Sequence, residues 1–148
     1  MLVAGREKPW KSKSANKLIW KNIKDLTKNF LNYECDVVVD WVVFWNDIKQ
    51  YTFDWIKQGI EVRYVILWAE ENVHVERDRQ RSKENQMRKR VLILRDEFLN
   101  SCAPSRFFLD NTTTDIEIII ERIQSDSRFL VLKEDMEGIA NLNENSYL

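Results

Sequence analysis

Between Val73 and Arg90 the chain reads VHVERDRQRSKENQMRKR, seven Lys or Arg side chains in eighteen positions on a protein whose formal net charge is only −1. Arg77 and Arg81 are four apart and so share one face of a helix, with Arg90 beyond a polar turn. Guanidinium groups so spaced suit phosphoryl oxygens, because arginine stays charged and presents a planar fork of donors. The competing reading is a solvated helix whose bases are partly paired with Glu76, Asp78 and Glu84. Binding to nucleic acid would use the same charges without a pocket. It has no zinc-finger, ribonucleoprotein or heptad pattern beside it, and Lys plus Arg (23) nearly balances Asp plus Glu (24), so nucleic acid is not the expected partner.

A second candidate is Asp40. DVVVD, Asp36 to Asp40, is a β-branched run without alternation, as a strand covered on both faces would be. A carboxylate at the carboxyl end of such a strand can organise magnesium or accept a proton from a hydroxyl; a strand-end Asp capping a turn is the alternative. His74, the only histidine, has no Cys or second His beside it, so no metal site is read here. Cys35 and Cys102 form no paired motif and read as reduced thiols. Trp10 and Trp45 sit in expected loops and are the tryptophans placed to line a cleft.

The elements that must position these groups follow from periodicity. Ile19, Ile23, Leu26 and Phe30 predict an amphipathic helix over Ser14 to Tyr33, with Ser14 as N-cap. Asn46 to Gln58 reads as a helix capped by Asn46 and stopped by Gly59. Ile60 to Trp68, IEVRYVILW, reads as a buried strand. Glu70 to Arg81 is a short charged helix and Lys83 to Asn100 a longer one, with Met87, Val91, Leu94 and Phe98 on one stripe. Arg106 to Asp110 is a strand, and Thr114 to Ser125 a helix opened by the capping box Thr114-Asp115-Ile116-Glu117 with Ile116, Ile119, Ile120 and Ile123 inward. Arg128 to Leu132 is a last strand. Helices alternating with apolar strands imply an α/β, three-layer domain with a parallel sheet, whose ligands lie at the strands' carboxyl ends.

By length, 148 residues make one domain with a sizeable core. The start, MLVAGREKPWKSKS, lacks a signal-length apolar run, and no stretch is long enough to span a bilayer, which predicts a cytoplasmic protein without membrane partners. Residues 133–148, KEDMEGIANLNENSYL, are acidic and aperiodic and read as a frayed or loosely docked tail, flexible beside a folded domain over 1–132.

Taken together, DVVVD, IEVRYVILW, the E-R-D-x-x-R of Glu76 to Arg81, the Q-M-x-x-R of Gln86 to Arg90 and the FLDNT of Phe108 to Thr112 resemble the later two-thirds of a P-loop small-molecule kinase. The relatives meant are the AAA-type ATP-binding kinases similar to chloramphenicol phosphotransferase, shikimate kinase and adenylate kinase. The match runs over about residues 4 to 131 in order. It implies an ATP-dependent phosphotransferase using ATP and magnesium, with Asp40 as base or magnesium-organising residue. Arg77 and Arg81, with Arg90 beyond them, would form a lid that clamps phosphates, and the loop after Asp110, including Thr112, would lie near the adenine.

The chain departs from that pattern in its glycines. The resembled family carries G-x-x-x-x-G-K-[ST], whose amides and lysine cradle the phosphates; no such run occurs here. It also carries a glycine within the lid's Q-M-G-x-R, where this chain has Arg88, and a proline near Trp45. The expectation is a kinase-like domain lacking its first, central strand and phosphate loop, truncated at its N-terminus and impaired or inactive. Its exposed strand edges would favour self-association. The other readings are a non-catalytic protein that binds an anionic partner through the basic lid, and an active kinase whose N-terminal segment lies outside this sequence.

Overall fold

A computed structural model describes residues 12–137. They fall into two compact units, the first ending at Val42 and the second beginning at Val43. Trp10 and most of the acidic tail lie outside the described residues.

The first unit is built on helix α1 (Lys13–Leu31). Ser12, rather than Ser14, is its N-cap, its hydroxyl accepting from the Ala15 amide at 3.3 Å. Ala15, Ile19, Trp20 and Thr27 are buried, whereas Leu26 and Phe30 of the expected stripe are about half exposed. The helix stops in a Schellman arrangement, Cys35 N–H donating to Phe30 O and Glu34 N–H to Leu31 O, with Glu34 at φ 59°. A chain with three glycines has here put a carboxylate residue into a left-handed position.

The expected strand at Asp36 to Asp40 is not formed. Residues 35–40 pair with no strand among the described residues, and Val38 is 94% exposed. A β-branched run favours an extended backbone by itself, but a strand also requires a neighbour to take its amides and carbonyls, and the described residues supply none.

The second unit begins with α2 (Trp45–Lys57). The Asp47 carboxylate accepts from the Phe44 amide at 3.4 Å, so the helix is opened by Phe44 and Asp47 and not by Asn46. Its stop is a full Schellman motif: Gly59, at φ 83°, donates to Ile56 O and Ile60 to Trp55 O. Only Gly adopts that backbone without strain.

The sheet consists of β1 (Ile66–Trp68) and β2 (Phe108–Asp110), parallel and in the register Ile66 with Phe108 and Trp68 with Asp110. Between them run α3 (Glu71–Arg79) and α4 (Lys89–Leu99), which pack on each other; α5 (Ile116–Ser125) follows β2. The chain is thus mixed α/β with five helices and a two-stranded parallel sheet among the described residues. The expected last strand at Arg128 to Leu132 is reduced to a single antiparallel bridge, Arg63 to Leu130. A 3-10 turn over Ser127–Phe129 runs directly into it, with the Asp126 carboxylate accepting from the Arg128 amide. That curvature leaves no length for a ladder.

The core of this unit is aromatic. Trp45, buried and not lining a cleft, lies 5.8 Å from Tyr64 and 4.9 Å from Phe107 between ring centroids. Tyr64 meets Phe107 edge-on at 5.3 Å, and its hydroxyl donates to Val43 O at 2.6 Å. Burial pushes the Tyr64 phenol well above its ordinary pKa. Tyr64→Phe keeps the ring and strands the Val43 carbonyl; the expected loss is about 1 kcal/mol, read from urea denaturation.

α5 is opened by Asp115, with no side-chain cap, so the expected Thr114 capping box is not made. Ile119 is buried, but Ile116 is 68% exposed and Ile120 is also exposed. At the far end, Arg106 pairs with Asp135, which also accepts from the Leu132 amide, and Met136 is buried. The acidic segment is therefore docked as far as Glu137.

Candidate functional site

The carboxyl ends of β1 and β2 lie side by side, and the loops leaving them are tied together. Asn111 N–H donates to Trp68 O at 2.7 Å, and Glu70 N–H donates to the Thr112 hydroxyl at 3.0 Å. Thr112 in turn binds Asp110: its amide donates to Asp110 Oδ1 at 2.8 Å, and the hydroxyl and amide together hold the Asp110 carboxyl below the usual carboxylate range. The base-side candidates Asp110 and Thr112 are thus brought into one corner with Glu70, at the entrance to α3. An open groove runs from this corner along α3, lined by Glu70, Asn72, Val73, Glu76, Arg77 and Thr112.

Arg77 closes the corner from above. Its guanidinium donates to Asn111 Oδ1 at 3.0 Å, to Asn111 O at 2.8 Å and to Thr112 O at 3.4 Å. Three donor contacts go to the loop after β2, so α3 is latched to the Asn111–Thr112 loop through Arg77. Sequence spacing places Arg77 beside Arg81, but it cannot reveal an acceptor thirty-four residues away.

The rest of the basic run is organised by a residue that sequence reasoning counted only as a neighbouring acid. Asp78 is buried, and its two oxygens accept from the Met87 amide at 2.8 Å and the Arg88 amide at 2.7 Å. The Met87 amide, and after it the Arg88 amide and the Arg81 guanidinium, hold the Asp78 carboxyl below the usual range. Its pull on these amides starts α4 at Lys89, not at Lys83, and leaves residues 80–88 as a loop. Gln86 supports the turn by donating to Arg79 O and Arg81 O. Arg88 is left at φ 55° and ψ −125°, a backbone region that glycine enters freely and side-chain-bearing residues avoid.

The three candidate arginines have different fates. Arg77 is committed to the Asn111 loop, and Arg90 forms a bidentate pair with Glu97 at 2.7 and 2.8 Å. Arg81 keeps a single long contact to Asp78, 3.8 Å, and is largely exposed. Arg79, Lys83, Arg88 and Lys89 are exposed as well. Asp40 is exposed and belongs to the first unit, while the arginines belong to the second.

No family model and no curated protein matches this chain. Among the described residues, no group of three or more His, Cys, Asp or Glu side chains gathers as metal ligands would, and no helix is long and apolar enough to cross a membrane. The residues present do not fit a magnesium-bound triphosphate: the sequence has no glycine-rich phosphate cradle, and two of the three candidate arginines are already hydrogen-bonded within the protein. What the site offers is a braced corner at the strand ends and an exposed basic loop beside it.

Proposed function

We propose that this chain carries the lid and base-side half of a P-loop-kinase-like nucleotide site, related in pattern to the ATP-dependent phosphotransferases but without turnover. The observation that supports it best is the corner itself. Two parallel strands end together beneath Arg77, whose guanidinium ties α3 to the Asn111–Thr112 loop. The carboxyl ends of adjacent parallel strands are where α/β sheets bind their ligands. Arg88 adds weight, since its backbone at φ 55° asks for glycine where the resembled Q-M-G-x-R pattern has one.

Phosphoryl transfer depends almost wholly on positioning and on neutralising phosphate charge. With no phosphate cradle and with Arg77 and Arg90 committed elsewhere, little of that remains. Titration of the protein with magnesium-ATP, followed by calorimetry, is expected to give binding no tighter than ~1 mM, equivalent to about −4 kcal/mol. A dissociation constant at or below ~10 µM would overturn the inactive reading in favour of a competent kinase.

A second reading is favoured by the exposed run of Lys83, Arg88 and Lys89 beside Arg79 and Arg81: the loop would bind an anionic partner without catalysis. Salt-sensitive retention of RNA or DNA in the same experiments would point that way.

A further inference from the structure

His74 lies at the joint between β1 and α3. Its Nε2 accepts from the Ala69 amide at 3.2 Å, so the ring is held neutral with its proton on Nδ1. It stands edge-on to Trp68, 6.0 Å between centroids at 81°, and Trp68 also carries the Arg95 guanidinium over its face at 4.6 Å and meets Phe108 edge-on. Ala69 is fully buried and is the first residue past β1. The next residue, Glu70, binds Thr112, and one turn along α3 from His74 is Arg77 with its three bonds to Asn111 and Thr112. One imidazole lone pair therefore fixes the residue from which the whole corner hangs.

We propose that His74 is an acid-sensitive latch: neutral, it closes the β1–α3 corner, and on protonation it releases that corner together with the Asn111–Thr112 loop. A protonated ring has no lone pair for Ala69, and the stranded buried amide must find another acceptor. Protonation also adds a positive charge among positive charges. The groups acting on His74 are Arg95 from α4 and Arg77 from its own helix, while Asp78 and Asp110 are committed to the Met87 and Arg88 amides and to Thr112. Burial first, then Arg95 and Arg77, move its pKa below the ordinary histidine value.

The sign follows from that direction. The closed corner favours the neutral ring, so its stability is complete above the ordinary value of ~6.5 and is lost as pH falls through the folded value. In that window the opening equilibrium rises by up to about tenfold per pH unit.

The test uses the full chain, in which His74 is the sole histidine and its ring signals need no sorting. Proton NMR from about pH 7.5 to about pH 5 should show the ring titrating together with the backbone amides of Ala69, Asn111 and Thr112, and with faster amide exchange at Ala69. His74→Gln keeps an acceptor oxygen and removes the titration, so the amides of that variant should be flat with pH. Ring titration without movement of Ala69, Asn111 and Thr112 would overturn the proposal, as would pH-dependent corner amides in His74→Gln. The wild-type titration decides alone if the variant fails to fold.

Discussion

Phe107→Ala is expected to destabilise the second unit by about 3–5 kcal/mol, more than the loss of any single hydrogen bond in that unit would. Phe107 is wholly buried, between Trp45 at 4.9 Å and Tyr64 at 5.3 Å, with the Arg106 guanidinium over its ring at 4.3 Å. Truncation removes the transfer free energy of the ring and leaves a cavity lined by rigid aromatic groups that relax little. The damage spreads along the chain, because β2 begins at Phe108 and its pairing with β1 sets where Asn111 and Thr112 stand. For a unit of roughly this size the thermal midpoint should fall by about 15 °C or more. Thermal denaturation by circular dichroism measures it, and a loss below ~1 kcal/mol would mean that the three rings are not one cooperative core.

Arg88→Gly should act in the opposite direction. With φ 55° and ψ −125°, Arg88 occupies a region costing a residue with a Cβ about 1–3 kcal/mol, whereas glycine enters it without that penalty. Glycine loses about 0.5–1 kcal/mol through its greater freedom in the unfolded chain. The net expectation is a gain of up to about 2.5 kcal/mol, centred near about 1 kcal/mol, or several degrees in thermal midpoint. The sign is diagnostic. Were the backbone at 88 ordinary, the same change would destabilise by the entropic amount alone, so a lower midpoint would contradict the Asp78-centred turn. The turn persists despite its strain because the buried Asp78 carboxylate takes two successive amides, Met87 and Arg88, that a relaxed helix start would have pointed elsewhere.

These two variants bear on the function in different ways. Phe107 tests whether the sheet that carries the corner is held from below by the aromatic core. Arg88 tests whether the basic run is a built turn, in which case the cations of residues 79–89 are displayed by a defined backbone and not by the fraying of a charged helix. Binding of magnesium-ATP or of a nucleic acid can then be read against a basic loop whose conformation is known.

Local pattern was enough to place α1 and α2, though not the start of α4, which lies at Lys89 and not at Lys83. Apolar spacing and the Gly59 stop place α2 within a residue of its actual ends, and the runs IEVRYVILW and RFFLD contain β1 and β2. Those signals are short-range: a helix satisfies its own backbone, and a Schellman stop needs only a residue able to turn left-handed. The half-exposed stripes on α1 and α5 show the limit of the same reasoning, since periodicity names the apolar face of a helix but not what covers it.

What this sequence determined by itself is therefore a set of helices, two strand cores and a basic run of arginines and lysines, because each depends on neighbours within a few positions. Only the tertiary structure decided that DVVVD has no strand partner among the described residues, that Arg77 is committed to Asn111 and Arg90 to Glu97, and that Asp78 commands the turn at Arg88. The reason is that a hydrogen bond is settled by which donor and acceptor meet after folding. The Asn111 that occupies Arg77 is thirty-four residues away along the chain, beyond the reach of any spacing rule.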